Sequence, residues 1–423
     1  MNIKRNLETS PIYVVAIYAT IVIFLLYTCC YAFRKPFTVG LYEEEALWGI
    51  DLKIFFVFSE ILGYALSKIV GTYILPSMKK HQRVYYVIGL LGFSELAWYA
   101  FGVLPIYLKG VSVFFSGLPL GMIWGIIFSF IEGRRISEVL NCGLSVATIV
   151  ASGLVKTMAQ TLAITFNVSE YWIPFVSGAV IFPLVLLCSY LLNQIPEPSD
   201  TDKIRRSERL PMNGAEKKSF FVRFWGGISL LLVLYASLTV FREIRDSFAA
   251  DIWKEFHIDD PLIFTRTEYP IAFAVLTLMF TNVFIKNNQK ALNSIYVISF
   301  IGGVVLVGST LAYLNNLLDP VLWMTFSGLG MYMGYIPFTY MIERLFASLE
   351  ITATTVFLIY LADSSGYVGT VAVFIVKNFY TADVSWSTIL VYTSFCTALV
   401  TIFSIVGIYL YFKKRIPTYN LSR

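Results

Sequence analysis

Two arginines stand inside apolar stretches, where a charge is costly. The segment YTCCYAFRKPF, 27–37, carries Arg34 and Lys35 near the end of a long apolar run, and YASLTVFR, 235–242, repeats its pattern with Arg242. A charge at the centre of a membrane helix costs roughly 2.5–3.5 kcal/mol on insertion scales. Guanidinium groups bind tetrahedral oxyanions and carboxylates through paired hydrogen bonds. The arginines therefore predict a site for a small anion, phosphate first and carboxylate second, while Lys35 is expected to reach the outer surface.

Polar side chains recur at helical spacing in the apolar stretches, which predicts an aqueous path between helices. Tyr27, Tyr31 and Arg34 are spaced i, i+4 and i+7, which places them on one face of a helix. Further polar stripes run through the segments 59–71, 141–156, 235–246 and 360–370. The substrate-binding candidates are Arg34, Arg242, Lys68, Tyr31, Tyr27, Tyr64 and Lys156. The candidates for coupling or gating are the acidic residues Asp363, Glu60, Asp246 and Glu268.

A structural role for these charges is the alternative interpretation. Lys68 or Lys156 would then form an internal salt bridge with Asp363 or Glu60. Arg242 would pair with an acidic neighbour, Glu243 or Asp246. For the arginines we favour an anion site, because two guanidinium groups that face each other across a cavity repel unless an anion lies between them.

The composition identifies an integral membrane protein. Of the 423 residues, 57% are hydrophobic and 14% are charged, with a mean hydropathy of +0.71, whereas about a quarter of the residues in a soluble domain are charged. Apolar runs of roughly 20 residues, enough to cross the hydrocarbon core as helices, recur along the chain. The twelve predicted spans lie near 12–42, 54–75, 84–104, 108–131, 138–164, 171–194, 222–247, 262–285, 293–313, 318–343, 351–377 and 386–412.

Basic residues in the loops predict the orientation in the membrane, because Lys and Arg in short loops stay on the cytoplasmic side. They cluster in the segments 4–5, 79–83, 134–135, 203–223 and 413–415, whereas the opposite loops carry acidic runs such as EEE at 43–45. Both termini are therefore predicted to be cytoplasmic, in a plasma membrane such as a bacterial inner membrane. The first apolar run lacks a small-residue cleavage site and is interpreted as a retained span. The net charge of +5 requires no nucleic-acid partner.

The two halves of the chain resemble each other. YTCCYAFR from Tyr27 matches YASLTVFR from Tyr235. FSGLPLGMIWGIIFSFIE from Phe115 aligns without gaps with FSGLGMYMGYIPFTYMIE from Phe326. Matched Arg, Tyr, Ser-Gly and Glu at near-constant offset are hard to obtain by chance. The sequence therefore predicts an internal repeat of six helices.

A charged segment separates the repeats. We predict an N-terminal bundle at 1–195, a cytoplasmic linker at 196–221 and a C-terminal bundle at 222–423. Two six-helix halves joined in this way are the organisation of major facilitator transporters, in which the substrate site forms near the membrane midplane. The predicted fold class is thus an all-α membrane protein with twelve transmembrane helices in two pseudo-symmetric six-helix bundles.

The motifs resemble those of the organophosphate:phosphate antiporter family, the glycerol-3-phosphate and hexose-phosphate transporters of the major facilitator superfamily. YAFRKPF, 31–37, is similar to the helix 1 signature of that family, and YALSKIVG, 64–71, is similar to its helix 2 signature. The resemblance implies that Arg34 and Arg242 bind the substrate phosphate and that Lys68 lies near the substrate.

Two departures separate this chain from the family pattern. Leu144 stands where the family has a histidine in its fifth helix, so a titratable group is missing. The loop GTYILPSMKKHQR, 71–83, lacks the Asp-Arg pair that forms a gating salt bridge. Asp363 and Lys156 are additional charges that would supply a different coupling. The expected substrate is therefore anionic but not necessarily phosphorylated.

Three functions fit these patterns. The first is a secondary transporter that exchanges a phosphorylated metabolite for phosphate by alternating access. The second is a proton-coupled symporter of a carboxylate, with Asp363, Glu60 or Glu268 as the proton carrier. The third is a membrane sensor of the same fold that binds its ligand without transport. We expect neither an enzyme nor a metal or cofactor, and we expect a monomer whose partners are the anionic substrate and the lipid bilayer.

Overall fold

The structure is a computed structural model, and it describes residues 3–43, 46–74, 78, 82–131, 137–196, 214–285, 287–349, 351, 356–381 and 383–421. Most of these residues lie in helices. The helices are α1 (Ile3–Glu8), α2 (Ile12–Tyr31), α3 (Leu52–Ile74), α4 (Arg83–Val103), α5 (Ile106–Ile131), α6 (Ser137–Thr165), α7 (Ile173–Asn193), α8 (Gly214–Ser247), α9 (Ala249–Glu255), α10 (Ile263–Val283), α11 (Asn288–Leu314), α12 (Pro320–Tyr335), α13 (Pro337–Ser348), α14 (Val356–Tyr380) and α15 (Trp386–Leu421). Most of the predicted linker lies outside the described residues.

Long apolar helices dominate this architecture. In the described part of the chain, eleven helices are long and apolar enough to cross a membrane. They are α2 to α8, α10, α11, α14 and α15. This confirms the prediction of an all-α, multi-pass membrane protein and accounts for every predicted span except the tenth.

The tenth predicted span, 318–343, is not one helix. It consists of α12, which has 16 residues, and α13, which has 12 residues. Pro337 is the first residue of α13, and its ring nitrogen has no hydrogen to donate to the preceding turn. The Ile336 amide still donates to the Tyr332 carbonyl at 3.1 Å, so the chain continues as a second helix directly after the break.

The first predicted span, 12–42, also ends early, and the prediction of a helix through Arg34 is wrong. Helix α2 ends at Tyr31, and the Arg34 amide donates to the Tyr31 carbonyl at 3.0 Å in a tighter turn. A short 3-10 helix begins at Pro36. Pro36 has no amide hydrogen, so it cannot donate to the Ala32 carbonyl and continue the α-helix.

The chain divides into two compact units, which are described separately. The N-terminal unit comprises Met1–Arg206 and Ser247–Tyr269, and the C-terminal unit comprises Ser207–Asp246 and Pro270–Arg423. The sequence division at 195 and 222 stays a prediction, because compactness does not test where the internal repeat begins.

Glycines bring α3 and α5 into backbone contact in the N-terminal unit. A Cβ atom on Gly117 would lie 2.7 Å from the carbonyl oxygen of Glu60, and one on Gly121 would lie 2.7 Å from that of Tyr64. Small residues four apart allow such close crossing of membrane helices. The crossing fixes the positions of Glu60 and Tyr64 on α3.

A similar contact joins α11 and α12 in the C-terminal unit. A Cβ atom on Gly330 would lie 2.6 Å from the carbonyl oxygen of Gly302. Gly328 lies on the same helix, and its lack of a side chain leaves space for the guanidinium of Arg245. The Nη2 of Arg245 donates to the Met324 carbonyl at 3.0 Å. Arg245 is 3% exposed and therefore belongs to the helix packing.

Alanine at Gly117 is expected to lower the thermal stability of the purified protein, because its methyl group collides with the backbone of α3. Gly89 on α4 is the matched control, since no atom lies within 4 Å of a Cβ atom built there. Gly89→Ala should leave the stability unchanged or raise it by about 0.5–1 kcal/mol through helix propensity. Thermal unfolding in detergent measures both, and equal effects of the two changes would contradict the close crossing.

Candidate functional site

Arg34 forms a buried ion pair in the N-terminal unit. It lies in the turn after α2, and its Nε donates to Glu60 Oε1 on α3 at 2.7 Å. The two side chains are 7% and 2% exposed. The carboxylate thus offsets the charge of the guanidinium and reduces the cost of burying it.

Tyrosine rings surround this pair. The Arg34 guanidinium carbon lies 4.2 Å from the centre of the Tyr64 ring, and Lys68 Nζ lies 5.1 Å from the same centre. The rings of Tyr27 and Tyr31 meet edge to face at 5.5 Å. Cations over aromatic faces are stabilised by the ring quadrupole, most strongly away from water. The structure therefore brings the predicted residues of spans 1 and 2 together in one cluster, which we call the Arg34 cluster.

Lys156 and Glu268 lie elsewhere in the N-terminal unit. Lys156 is on α6 and is 3% exposed, and Glu268 is on α10 and is 9% exposed. Gly153, one turn before Lys156, packs against Glu268, since a Cβ atom on Gly153 would lie 2.9 Å from the Cβ of Glu268. The two charged residues thus stand on neighbouring helices.

Lys35 does not reach the membrane surface, and that prediction is wrong. Its side chain is buried, with the residue 3% exposed. Its Nζ lies 3.4 Å from Ser247 Oγ, at the end of α8. The turn between α2 and Pro36 directs Lys35 into the protein, whereas the predicted surface position required a continuous helix.

The C-terminal unit holds a second cluster around Arg242, which we call the Arg242 cluster. On α8, Arg242 Nη2 donates to the carboxylate of the next residue, Glu243. Its guanidinium carbon lies 4.7 Å from the centre of the Tyr335 ring at the end of α12. Asp246 follows one turn later on α8 and is half-buried.

Asp363 joins this cluster through a tyrosine. The Tyr235 hydroxyl donates to Asp363 Oδ1 at 2.6 Å and lies 3.2 Å from the Tyr335 hydroxyl. The Tyr235 and Tyr335 rings are stacked at 5.2 Å. Asp363 on α14 therefore shares a polar network with Arg242.

The two clusters contain the same types of side chain, but different helices provide them. Each has one arginine, one carboxylate bound to it and one tyrosine ring beneath it. Arg34 takes both partners from α3, whereas Arg242 takes its carboxylate from α8 and its ring from α12. Sequence reasoning did not single out Tyr335, although it stands opposite Trp124 in the aligned repeat and so occupies a shared aromatic position.

A further ion pair, in which the lysine is buried and the aspartate is 18% exposed, was not predicted. Lys53, at the start of α3, is 1% exposed, and its Nζ lies 2.5 Å from Asp251 Oδ2 on α9. Burial raises the pKa of the Asp251 carboxyl above its ordinary value, although the Lys53 ammonium beside it acts in the opposite direction. The pair fastens α9 to the rest of the N-terminal unit.

Weaker contacts also join the segment 247–269 to the rest of the N-terminal unit. Lys254 binds the carboxylate of Glu43, with both side chains exposed. The hydroxyls of Thr157 and Thr265 are 2.7 Å apart. A small cavity of about 160 Å³ lies beside them and is lined by Gln160, Lys254 and neighbouring residues.

The described residues contain no group of three or more His, Cys, Asp or Glu side chains arranged to hold a metal ion. The chemistry of both clusters is that of hydrogen-bond donors and acceptors. They are suited to binding a polar or anionic molecule.

Comparison with known proteins identifies the family. A family model, described as a family of unknown function (DUF5690), matches residues 36–415. The chain belongs to DUF5690. No curated protein sequence matches it significantly.

A solved structure shares the fold of this DUF5690 protein. The structure of a D-xylose-proton symporter matches with a TM-score of 0.60 and 13% sequence identity, over 95% of this chain and 98% of that one. The DUF5690 protein therefore has the major facilitator fold, as predicted.

Replacing Lys53 by Met is expected to destabilise the protein by about 3–5 kcal/mol at neutral pH, because Asp251 loses the cation that compensates its buried charge. The loss should shrink as the pH falls. A carboxyl whose folded-state pKa is raised contributes stability at low pH and loses that contribution as the pH rises through the folded-state pKa. Thermal unfolding of the purified variant at about pH 5 and about pH 8 measures this dependence.

The double variant Lys53→Met with Asp251→Leu is the matched control. It removes both charges and should regain most of the lost stability and become insensitive to pH over this range. Arg266→Ala, which breaks an exposed pair with Asp260 at 2.9 Å, should have little effect. A double variant as unstable as Lys53→Met would refute the electrostatic interpretation.

Proposed function

We propose that this DUF5690 protein is a secondary transporter that carries a small organic anion by alternating access. The observation that carries the proposal is a guanidinium in each unit, 7% exposed in Arg34 and 13% exposed in Arg242, held against a tyrosine ring and a carboxylate. Such groups are rare and costly within membrane bundles, and they mark substrate pathways. The major facilitator fold supplies a known mode of transport, in which two bundles expose one site to each side in turn.

The carboxylates of Glu60 and Glu243 would stabilise the arginines while no anion is bound. A lone guanidinium would carry a large desolvation cost whenever the anion is absent. Glu60 and Glu243 reduce that cost, so each arginine can remain buried throughout the transport cycle. An arriving anion then competes with these carboxylates for the guanidinium, which makes binding reversible and keeps the affinity moderate.

For the substrate we propose a phosphorylated metabolite exchanged for phosphate. The resemblance of YAFRKPF and YALSKIVG to the organophosphate antiporter signatures supports this class. Arg34 and Lys68 on one tyrosine ring provide two positive charges for a doubly charged phosphate group. We further propose a monomer in a plasma membrane such as a bacterial inner membrane, with both termini cytoplasmic, on the basis of the basic loops.

Replacing Arg34 by Lys is expected to raise the KM for the anion about tenfold, which corresponds to the loss of a charge-assisted hydrogen bond of about 1.5 kcal/mol. Lysine keeps the charge that balances Glu60, so the protein should remain folded. Exchange of radiolabelled phosphate for phosphate and sugar phosphates in proteoliposomes measures the change, with Arg34→Ala expected to abolish exchange.

Arg266→Lys is the control, because its side chain is 63% exposed. It should leave exchange unchanged. Wild-type exchange rates in the folded Arg34→Ala variant would exclude a role for Arg34 in binding the anion. Binding of phosphate without any flux in the wild-type protein would favour a sensor.

Proton-coupled uptake of a carboxylate is the second candidate, and the bond from Tyr235 to Asp363 favours it. A carboxylate inside a membrane bundle is a candidate proton carrier, because acidic residues within membrane helices form the proton relays of transporters. Under this mechanism Asp363→Asn should abolish the stimulation of uptake by an imposed pH gradient while counterflow exchange continues. Measuring both fluxes in proteoliposomes distinguishes the candidates, because strict anion exchange shows no such stimulation to lose.

A further inference from the structure

Glu95 is an acidic residue in the middle of a membrane helix, and none of the clusters described above includes it. It lies on α4, which has 21 residues, two positions beyond the helix midpoint at residue 93. The position is therefore close to the centre of the hydrocarbon layer, far from either water boundary. Leu96 and Phe93 beside it are exposed on the helix surface, where lipid would cover them.

The carboxyl group of Glu95 is enclosed between α4 and α7. Both of its oxygens are buried, and neither has a hydrogen-bond partner in the described part of the chain. Gly178 on α7 provides the space, since a Cβ atom there would lie 2.8 Å from the carboxyl carbon. Any larger residue at Gly178 would overlap the acid.

The contacts between α4 and α7 on either side of Glu95 are made by aromatic rings. On one side of Glu95, Gly92 faces the ring of Phe182, and a Cβ atom there would lie 3.9 Å from it. On the other side, Tyr99 meets Phe175 edge to face at 5.4 Å. Glu95 and Gly178 therefore meet between aromatic contacts on both sides.

Charged groups on the helices around Glu95 are distant or engaged elsewhere. Arg83 lies twelve residues away on α4, about 18 Å along the axis at 1.5 Å per residue, and donates to the Ser129 carbonyl at 3.3 Å. Lys109 on α5 donates to the Phe101 carbonyl at 2.5 Å and lies 4.1 Å from the centre of the Tyr171 ring. Helix α7 contains no charged residue, and its Cys188 and Tyr190 lie ten or more positions beyond Gly178.

An ionised carboxylate in these surroundings would be a charge without a counterion or a hydrogen bond in a medium of low dielectric constant. That arrangement is so unfavourable that a carboxyl group takes up a proton instead. We propose that Glu95 is a proton-binding site in the membrane interior, that it is occupied at neutral pH, and that a lipid-soluble carbodiimide modifies it. The site belongs to the N-terminal bundle and does not depend on which substrate the protein carries.

The chemistry of the modification requires the bound proton. The carboxyl proton moves to a nitrogen of the carbodiimide, and a carboxyl oxygen forms a bond to the central carbon as one carbon–nitrogen π bond is lost. The O-acylisourea then rearranges to an N-acylurea by transfer of the acyl group from oxygen to nitrogen. No group leaves, so the modified peptide gains the full mass of the reagent.

The test uses the full chain in proteoliposomes at neutral pH with N,N′-dicyclohexylcarbodiimide, followed by peptide mass spectrometry. We expect the adduct at Glu95 and its loss in Glu95→Gln. Gln has the shape of the protonated acid, so Glu95→Gln should keep the thermal stability of the wild type. A water-soluble carbodiimide should instead label exposed carboxylates such as Glu43, whose side chain is 68% exposed, and spare Glu95.

An infrared difference spectrum, wild type minus Glu95→Gln, provides an independent measurement. It should contain the carbonyl stretch of a protonated carboxyl group at neutral pH. The proposal is overturned if this band is absent, if wild-type Glu95 carries no adduct, or if Glu95→Gln fails to fold. Wild-type labelling needs no variant, so it can refute the proposal by itself.

Discussion

The pairing of a guanidinium with a carboxylate over a tyrosine ring is the constraint that both units share. In the N-terminal unit Arg34 reaches Glu60 at 2.7 Å and Tyr64 at 4.2 Å, and both partners come from α3. Those partners are held in place because Gly117 and Gly121 let α5 approach the backbone of α3 at these two residues. The close helix crossing and the ion pair thus depend on each other.

The fold and much of the Arg34 cluster followed from simple patterns in the sequence. Hydropathy located the spans, and the spacing by four of Glu60, Tyr64 and Lys68 placed them on one face of α3, where Tyr64 meets both Arg34 and Lys68. Residue type and helical period were sufficient to group these three side chains, since an α-helix fixes which of its own side chains are neighbours.

Contacts between distant segments could not be predicted in this way. Nothing in the local sequence joins Lys53 to Asp251, 198 positions apart. Lys35 is buried because α2 ends at Tyr31 and a turn precedes Pro36, and the apolar pattern of the segment does not show this end. A single proline also divides the tenth span at Ile336, whereas Pro119 is accommodated within α5. The effect of a proline depends on the packing around it, and packing is not a property of a local pattern.

Acidic residues in this protein have three kinds of surroundings, which differ in the partner that the carboxyl group meets. Glu60 and Asp251 each form an ion pair with a cation. Asp363 accepts a hydrogen bond from the Tyr235 phenol at 2.6 Å. Glu95 has neither kind of partner among the described residues, and binding a proton is the remaining way to remove its charge. The same carboxyl group is therefore ion-paired, hydrogen-bonded to a phenol or enclosed among apolar side chains, according to what the neighbouring helix presents.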